Sequence, residues 1–190
     1  MLRGWDREAP DELVFSVDAR IELERGRLYR SAGDPEQAAD HFEDGATLAR
    51  EAHDEPLEID ALHMQALLAT GTDAVDLDHR ALELARRSSD PAARRWEAPL
   101  LNNLGMALVE VESLDEALTT FEDAVAVRQA RGERRETQIG RWMVAWTLRL
   151  LGRRDEALAL QQALKDELAL DGIEDPYVDE EIALLTADPA

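Results

Sequence analysis

Residues 26–42 read Gly26-Arg27-Leu28-Tyr29-Arg30-Ser31-Ala32-Gly33-Asp34-Pro35-Glu36-Gln37-Ala38-Ala39-Asp40-His41-Phe42. The break at Ser31-Ala32-Gly33-Asp34-Pro35 divides two stretches of helical spacing. Gly33 suits a helix C′ position, Asp34 an N-cap and Pro35 a first helical residue. The segment therefore predicts helix, tight turn, helix. Gly26 falls inside the first helix, where glycine costs up to ~1 kcal/mol relative to alanine. That is tolerable where another helix packs closely against it.

The pattern Gly26, Tyr29, Ala38, Phe42 returns as Gly105, Leu108, Ala117, Phe121. The first member precedes the third by 12 residues in both, and Leu62 to Ala74 and Ala145 to Ala157 keep that interval. Four copies define an internal repeat, the signature of a quasi-one-dimensional helical array. The copies span about 18–51, 54–88, 91–132 and 134–170. In the first, Ile21, Leu28 and Tyr29 read as an apolar stripe, and Ala38, Phe42, Ala46 and Ala49 mark its second helix. In the second, Asp54 or Glu55 starts a helix before Pro56, and Thr72 or Asp73 caps the next. Asp90-Pro91 opens the third, with Trp96 and Leu100 to Leu108 in one helix. Ser113 with Glu116 forms a capping box for its partner. Ile139 to Leu151 and Ala157 to Leu168 make the fourth. Asp171-Gly172 and Asp175-Pro176 then delimit a last helix at about 175–187, where Val178, Ile182 and Leu185 form one apolar stripe. Such a helix covers the exposed end of an array. Asp188-Pro189-Ala190 is expected to fray. The expectation is one all-α domain over residues 1–190, a right-handed α-solenoid of four helix pairs plus a capping helix, about nine helices.

Composition agrees. The chain has 190 residues, 45% hydrophobic but only 5% aromatic, and runs of β-branched residues alternating with period two are missing. A net charge of −21 repels phosphate backbones and anionic membranes, which argues against nucleic acid or a membrane surface as partner. Lys165 is the single lysine; such a composition suits either a salt-adapted source or a GC-rich genome. Without cysteine there is no disulfide framework, thiolate nucleophile or Cys-based zinc site. The stretch from Met1 to Glu8 lacks the apolar core of a secretory signal, and no apolar run reaches the ~18 residues of a membrane span. A cytoplasmic location is the expectation.

These residues resemble the tetratricopeptide repeat, a helix–turn–helix unit of roughly 34 residues. Gly26, Tyr29, Ala38 and Phe42 match its small and aromatic positions in the first copy, and Leu104-Gly105, Ala117, Phe121 and Ala124 match in the third. The second and fourth copies carry Asp78 and Gln161 where an aromatic is usual. Ala38, Ala74, Ala117 and Ala157 lie 36, 43 and 40 residues apart. Units of this length, with Leu101-Asn102-Asn103-Leu104-Gly105, look like the longer repeats of kinesin light chains and of many bacterial regulators, a bacterial-type array.

The resemblance implies a protein- or peptide-binding scaffold that uses the concave face supplied by the first helix of each pair. Counting from the matched small residues, the groove positions are Leu23, Arg27 and Arg30, then Ile59, His63 and Ala66, then Asn102, Met106 and Val109, then Trp142, Trp146 and Arg149. Arg20 lies one turn before Leu23. These positions hold arginines and no carboxylate, which suits a carboxylate-bearing peptide recognised by arginine forks. The alternative is that these arginines pair with glutamates of neighbouring helices. Asn102 and Asn103 are of the type that clamps a C-terminal carboxylate in this family, but the lysines of such a clamp are missing. Trp142 and Trp146 read either as binding anchors or as core packing. A self-associating, homodimeric module is the rival reading, and a peptide-sensing regulatory accessory a third.

Enzyme chemistry finds no support in the sequence. His41, His53, His63 and His79 lack metal-ligand spacing, and Asp73, Asp76 and Asp78 resemble a calcium loop in acid content alone. No nucleophile, base and orienting group can be named together, so neither catalysis nor a cofactor is expected.

Overall fold

The computed structural model describes residues 11–187; residues 1–10 and the Asp188-Pro189-Ala190 tail expected to fray lie outside the described residues. Every regular element among the described residues is an α-helix. Two compact units divide between Trp96 and Glu97. The first contains α1 (Asp11–Ser31), α2 (Pro35–Glu51), α3 (Glu55–Ala66), α4 (Thr72–Arg87) and the short α5 (Pro91–Arg95). The second contains α6 (Glu97–Glu110), α7 (Leu114–Ala130), α8 (Arg134–Leu150), α9 (Arg154–Leu170) and α10 (Pro176–Thr186).

Local chemistry sets most of these boundaries. The side chains of Asp34, Asp54, Asp90 and Asp175 accept hydrogen bonds from the backbone N–H of Gln37, Leu57, Ala92 and Tyr177. A proline follows each within two residues, at positions where its missing N–H has no intrahelical partner anyway. At the helix ends, Gly33, Gly132, Gly152 and Gly172 take left-handed backbone. His53 and Glu112 do the same job as non-glycine residues, and the N–H of the residue after each closes on a carbonyl five back, Ala49 and Leu108.

Four details of the sequence reading change. α1 begins at Asp11, not near Asp18. Ser113 is the N-cap of α7 by position, but its side chain makes no capping hydrogen bond. Gly71, not Thr72 or Asp73, precedes the first turn of α4. The first helix of the third pair is split at Trp96, so ten helices stand among the described residues where about nine were expected. Pro99 explains the split: it has no N–H to donate to the carbonyl of Arg95, and its ring clashes there.

Within each unit, consecutive helices pack side by side. The core of the first unit joins Ala19, Leu23, Ala38, Phe42, Ala46, Ala49, Leu57, Ala61 and Met64. Phe42 lies over Gly26, and Phe121 over Gly105 in the second unit; a Cβ added to Gly105 would sit 2.5 Å from the Phe121 ring. The mid-helix glycines are therefore the floor on which the rings rest. In the second unit, Leu164, Leu168 and Val178 form a cluster, with Trp142 and Ile182 packed against it. Val178 and Leu185 are buried, as the α10 stripe predicted. The proposed stripe of Ile21, Leu28 and Tyr29 is different: all three are exposed, and α1 meets its neighbours through Ala19, Leu23 and Gly26. At 100° per residue, Ile21 and Leu28 point nearly opposite those three.

Candidate interaction surfaces of the two units

In the first unit, Leu23 and Ile59 are wholly buried, so neither offers a side chain to a partner. Arg27 reaches from α1 to α3, where its Nη2 donates to Asp60 Oδ1 and Oδ2 at 2.7 and 2.6 Å. Its Nη1 also donates to Glu24 at 2.6 Å. Arg20 and Arg30 are exposed, and Ala66 is buried. His63 is half-buried and packs on Trp96, with ring centroids 5.5 Å apart. Burial holds its pKa below the ordinary value, with Arg30 and Arg27 acting in the same direction and Asp60 opposing. His41 bonds Glu22 at 2.6 Å and stacks on Tyr29.

In the second unit, Met106 is exposed, while Asn102, Val109, Trp142, Trp146 and Arg149 are half-buried. The indoles of Trp142 and Trp146 stack with centroids 6.0 Å apart and planes 9° from parallel. Tyr177 of α10 meets Trp142 edge-on at 6.5 Å. Arg149 grips Glu181 of α10 through two bonds, Nε to Oε2 at 2.7 Å and Nη2 to Oε1 at 2.8 Å. That hydrogen-bonded carboxylate raises the arginine's pKa although burial opposes it. Arg154 donates to the terminal carbonyls of α10 at Leu184, Leu185 and Ala187. A cation there complements the helix dipole.

Two of the four arginines expected in the groove are thus engaged from within, while Arg20 and Arg30 stay exposed. Arg27 and Arg149 each hold a carboxylate of the next first-position helix. The sequence reading missed that Asp60 and Glu181 would be those carboxylates: each lies over 30 residues from its arginine, and no local spacing links them.

A different feature stands open. Between α8, α9 and α10 lies a cleft of about 530 Å³, walled by Ile139, Trp142, Met143, Leu164, Leu168, Tyr177 and Val178. Arg135, Gln138, Glu174 and Asp175 add its polar groups, and Arg135 pairs with Asp175 at 3.4 Å. The buried Trp142 Nε1 has no hydrogen-bond partner. Among the described residues no group of three or more His, Asp or Glu is placed to hold a metal ion, and no helix is long and apolar enough to cross a membrane.

Helix pairs of this kind, with a glycine under a phenylalanine ring in the α1–α2 and α6–α7 pairs, have the fold of the tetratricopeptide class of helical repeats. A tetratricopeptide-repeat family model matches residues 100–131, the α6–α7 pair. Two solved structures of nearly identical TPR-like repeats from a Podosopora anserina kinesin-light-chain candidate share the fold. The first, a glutamine-to-methionine variant, is 17% identical with a TM-score of 0.71; the second is 19% identical with a TM-score of 0.65. Each alignment covers 94% of this chain and 87% of the other. No curated protein matches the chain in sequence. The fold is that of a tetratricopeptide array with repeats like those of kinesin light chains, a scaffold class whose general role is protein–protein interaction.

Proposed function

We propose that this protein is an interaction scaffold whose second unit receives an apolar segment of a partner polypeptide in the α8–α9–α10 cleft. The observation that carries this reading is the cleft itself, with Trp142 and Tyr177 as walls. Its volume falls in the range of roughly 300–1,000 Å³ common to ligand clefts. Rigid aromatic walls lose little entropy on binding, and tryptophan and tyrosine are enriched at interface hot spots. The polar groups at Arg135, Gln138, Glu174 and Asp175 suit the backbone of an entering peptide. Arg27 and Arg149 are left out of the contact surface, because binding there would first have to displace Asp60 or Glu181.

The test is selection of peptides from a displayed random library on the full chain, followed by calorimetry. Ile139 is exposed, so Ile139→Arg changes the cleft mouth without emptying the core. This change and Trp142→Ala should each weaken selected peptides by ~2 kcal/mol or more, the hot-spot threshold. Peptides that bind Ile139→Arg as well as the wild type would overturn the assignment of the cleft.

A further inference from the structure

The first helix has two apolar faces, and one is uncovered. Ala19, Leu23 and Gly26 are buried against the first unit. Leu13, Val14, Val17, Ile21 and Leu28 are between 43% and 71% exposed. At 100° per residue these five fall within an arc of about 100°, centred nearly opposite the core side. Val14, Val17, Ile21 and Leu28 also follow the alternating three- and four-residue steps of a coiled-coil seam, with Glu24 in the one remaining place. Exposed apolar area organised in this way marks an interface.

Charge selects the occupant. The chain carries −21, yet α1 holds five carboxylates and four guanidiniums, close to balance. It is a surface on which two copies of so acidic a chain can meet with little repulsion. The charges are also self-complementary. Asp18 and Arg25 lie seven residues apart on one flank of the stripe, and Arg20 edges the other, next to Glu24 in the seam. In an antiparallel pair of identical helices related by a two-fold axis, like flanks meet, and an axis near residue 22 brings Asp18 opposite Arg25 of the second copy. The same axis sets Arg20 beside Glu24 of the second copy, Leu28 between Val14 and Val17, and Ile21 against itself. Isologous contacts of this kind are the usual basis of homodimers. Arg25 now contacts Glu22 at 2.7 Å on the surface. Exchanging one exposed pair for another costs little.

We propose that the protein forms a homodimer through antiparallel packing of two α1 helices along this stripe. Sedimentation velocity and light scattering on the full chain should give twice the chain mass, falling to one chain mass on dilution. Ile21→Glu should produce a monomer with unchanged helicity whose thermal midpoint matches that of the wild type diluted to single chains, since Ile21 is exposed and takes no part in the core. Asp18→Arg or Arg25→Asp alone should raise the dissociation constant at least about tenfold, a change of ~1.4 kcal/mol. The two together should restore the wild-type constant, because the pair is then reversed and not broken. A wild-type monomer at every concentration would overturn the proposal. So would a dimer indifferent to Ile21→Glu, or a double variant no tighter than the single ones.

Discussion

Arg149 and Glu181 form a two-bond ion pair that ties α10 to α8, with the glutamate carboxylate almost wholly buried and the guanidinium about three-quarters so. A buried carboxylate is stable because its partner is in place. Removing the partner leaves the charge without solvent or counter-charge. Arg149→Ala should therefore destabilise the protein by about 2–4 kcal/mol, towards the lower end for buried pairs because Arg149 is partly exposed. Adding Glu181→Ala should recover part of that loss, giving a coupling above about 1 kcal/mol in a double-mutant cycle by urea unfolding. The Lys165–Asp179 pair, 2.6 Å long but more than half exposed on both sides, is the control. Lys165→Ala should change stability by less than about 1 kcal/mol.

The Gly105–Phe121 contact leads to a second expectation. Helix propensity alone favours Gly105→Ala by about 1 kcal/mol. A methyl 2.5 Å from the ring cannot be accommodated without displacing it, and overpacking costs about 1–3 kcal/mol. The steric effect should win, so the variant should have a lower urea midpoint. Phe121→Leu in the same background should return part of the loss by making room. A Gly105→Ala midpoint above the wild type would mean that the ring moves aside freely.

Gly26 and Phe42 show why the helix pairs were legible. A small residue under a ring 16 positions later is a packing requirement visible in one dimension, and Asp-Pro starts with glycine stops are local chemistry. What could not be read was long-range. Glu181 lies on an acidic helix and looks solvated until Arg149 reaches it. The break at Trp96 needed Pro99 to be weighed against the carbonyl four residues before it. Ile21 and Leu28 fit the helical period of an apolar stripe, but period alone does not say which face meets the core. Ala19, Leu23 and Gly26 decide that, and two of the three carry little or no apolar bulk. The α8–α9–α10 cleft draws on residues from three helices, and no spacing within one helix announces it.

The same 16-residue step reaches Gln161 from Ala145 and Asp78 from Leu62. Both sit buried where Phe42 and Phe121 sit in the other pairs. Neither polar atom of the Gln161 amide has a hydrogen-bond partner. A buried amide without partners costs about 1–3 kcal/mol in desolvation. Gln161→Leu, similar in size and apolar, should raise stability by about 1–2 kcal/mol. A lower thermal midpoint for this variant would show that the amide is satisfied in solution.

Asp78 is the titratable counterpart. Burial pushes its pKa from 3.8 up to about 7, and its Oδ1 has no hydrogen-bond partner. A carboxyl whose folded pKa lies above its unfolded value binds its proton more tightly in the folded state. Its effect is therefore most favourable below the unfolded value. Stability is lost as pH rises from about 4 to about 7 and then levels off. At ~1.36 kcal/mol per unit, the loss between pH 5 and pH 8 is about 2–3 kcal/mol. Asp78→Asn keeps the shape of the protonated acid and cannot ionise. Carboxylates held low by partners, such as Asp171 beside Arg134, act below about pH 4 and are common to both proteins. Urea unfolding of wild type and Asp78→Asn should therefore diverge with rising pH, the variant gaining about 2–3 kcal/mol over the wild type between pH 5 and pH 8. Parallel stability curves across that window would show that Asp78 is ionised and hydrated in the folded protein, and that its place in the core is wetter than the packing around it suggests.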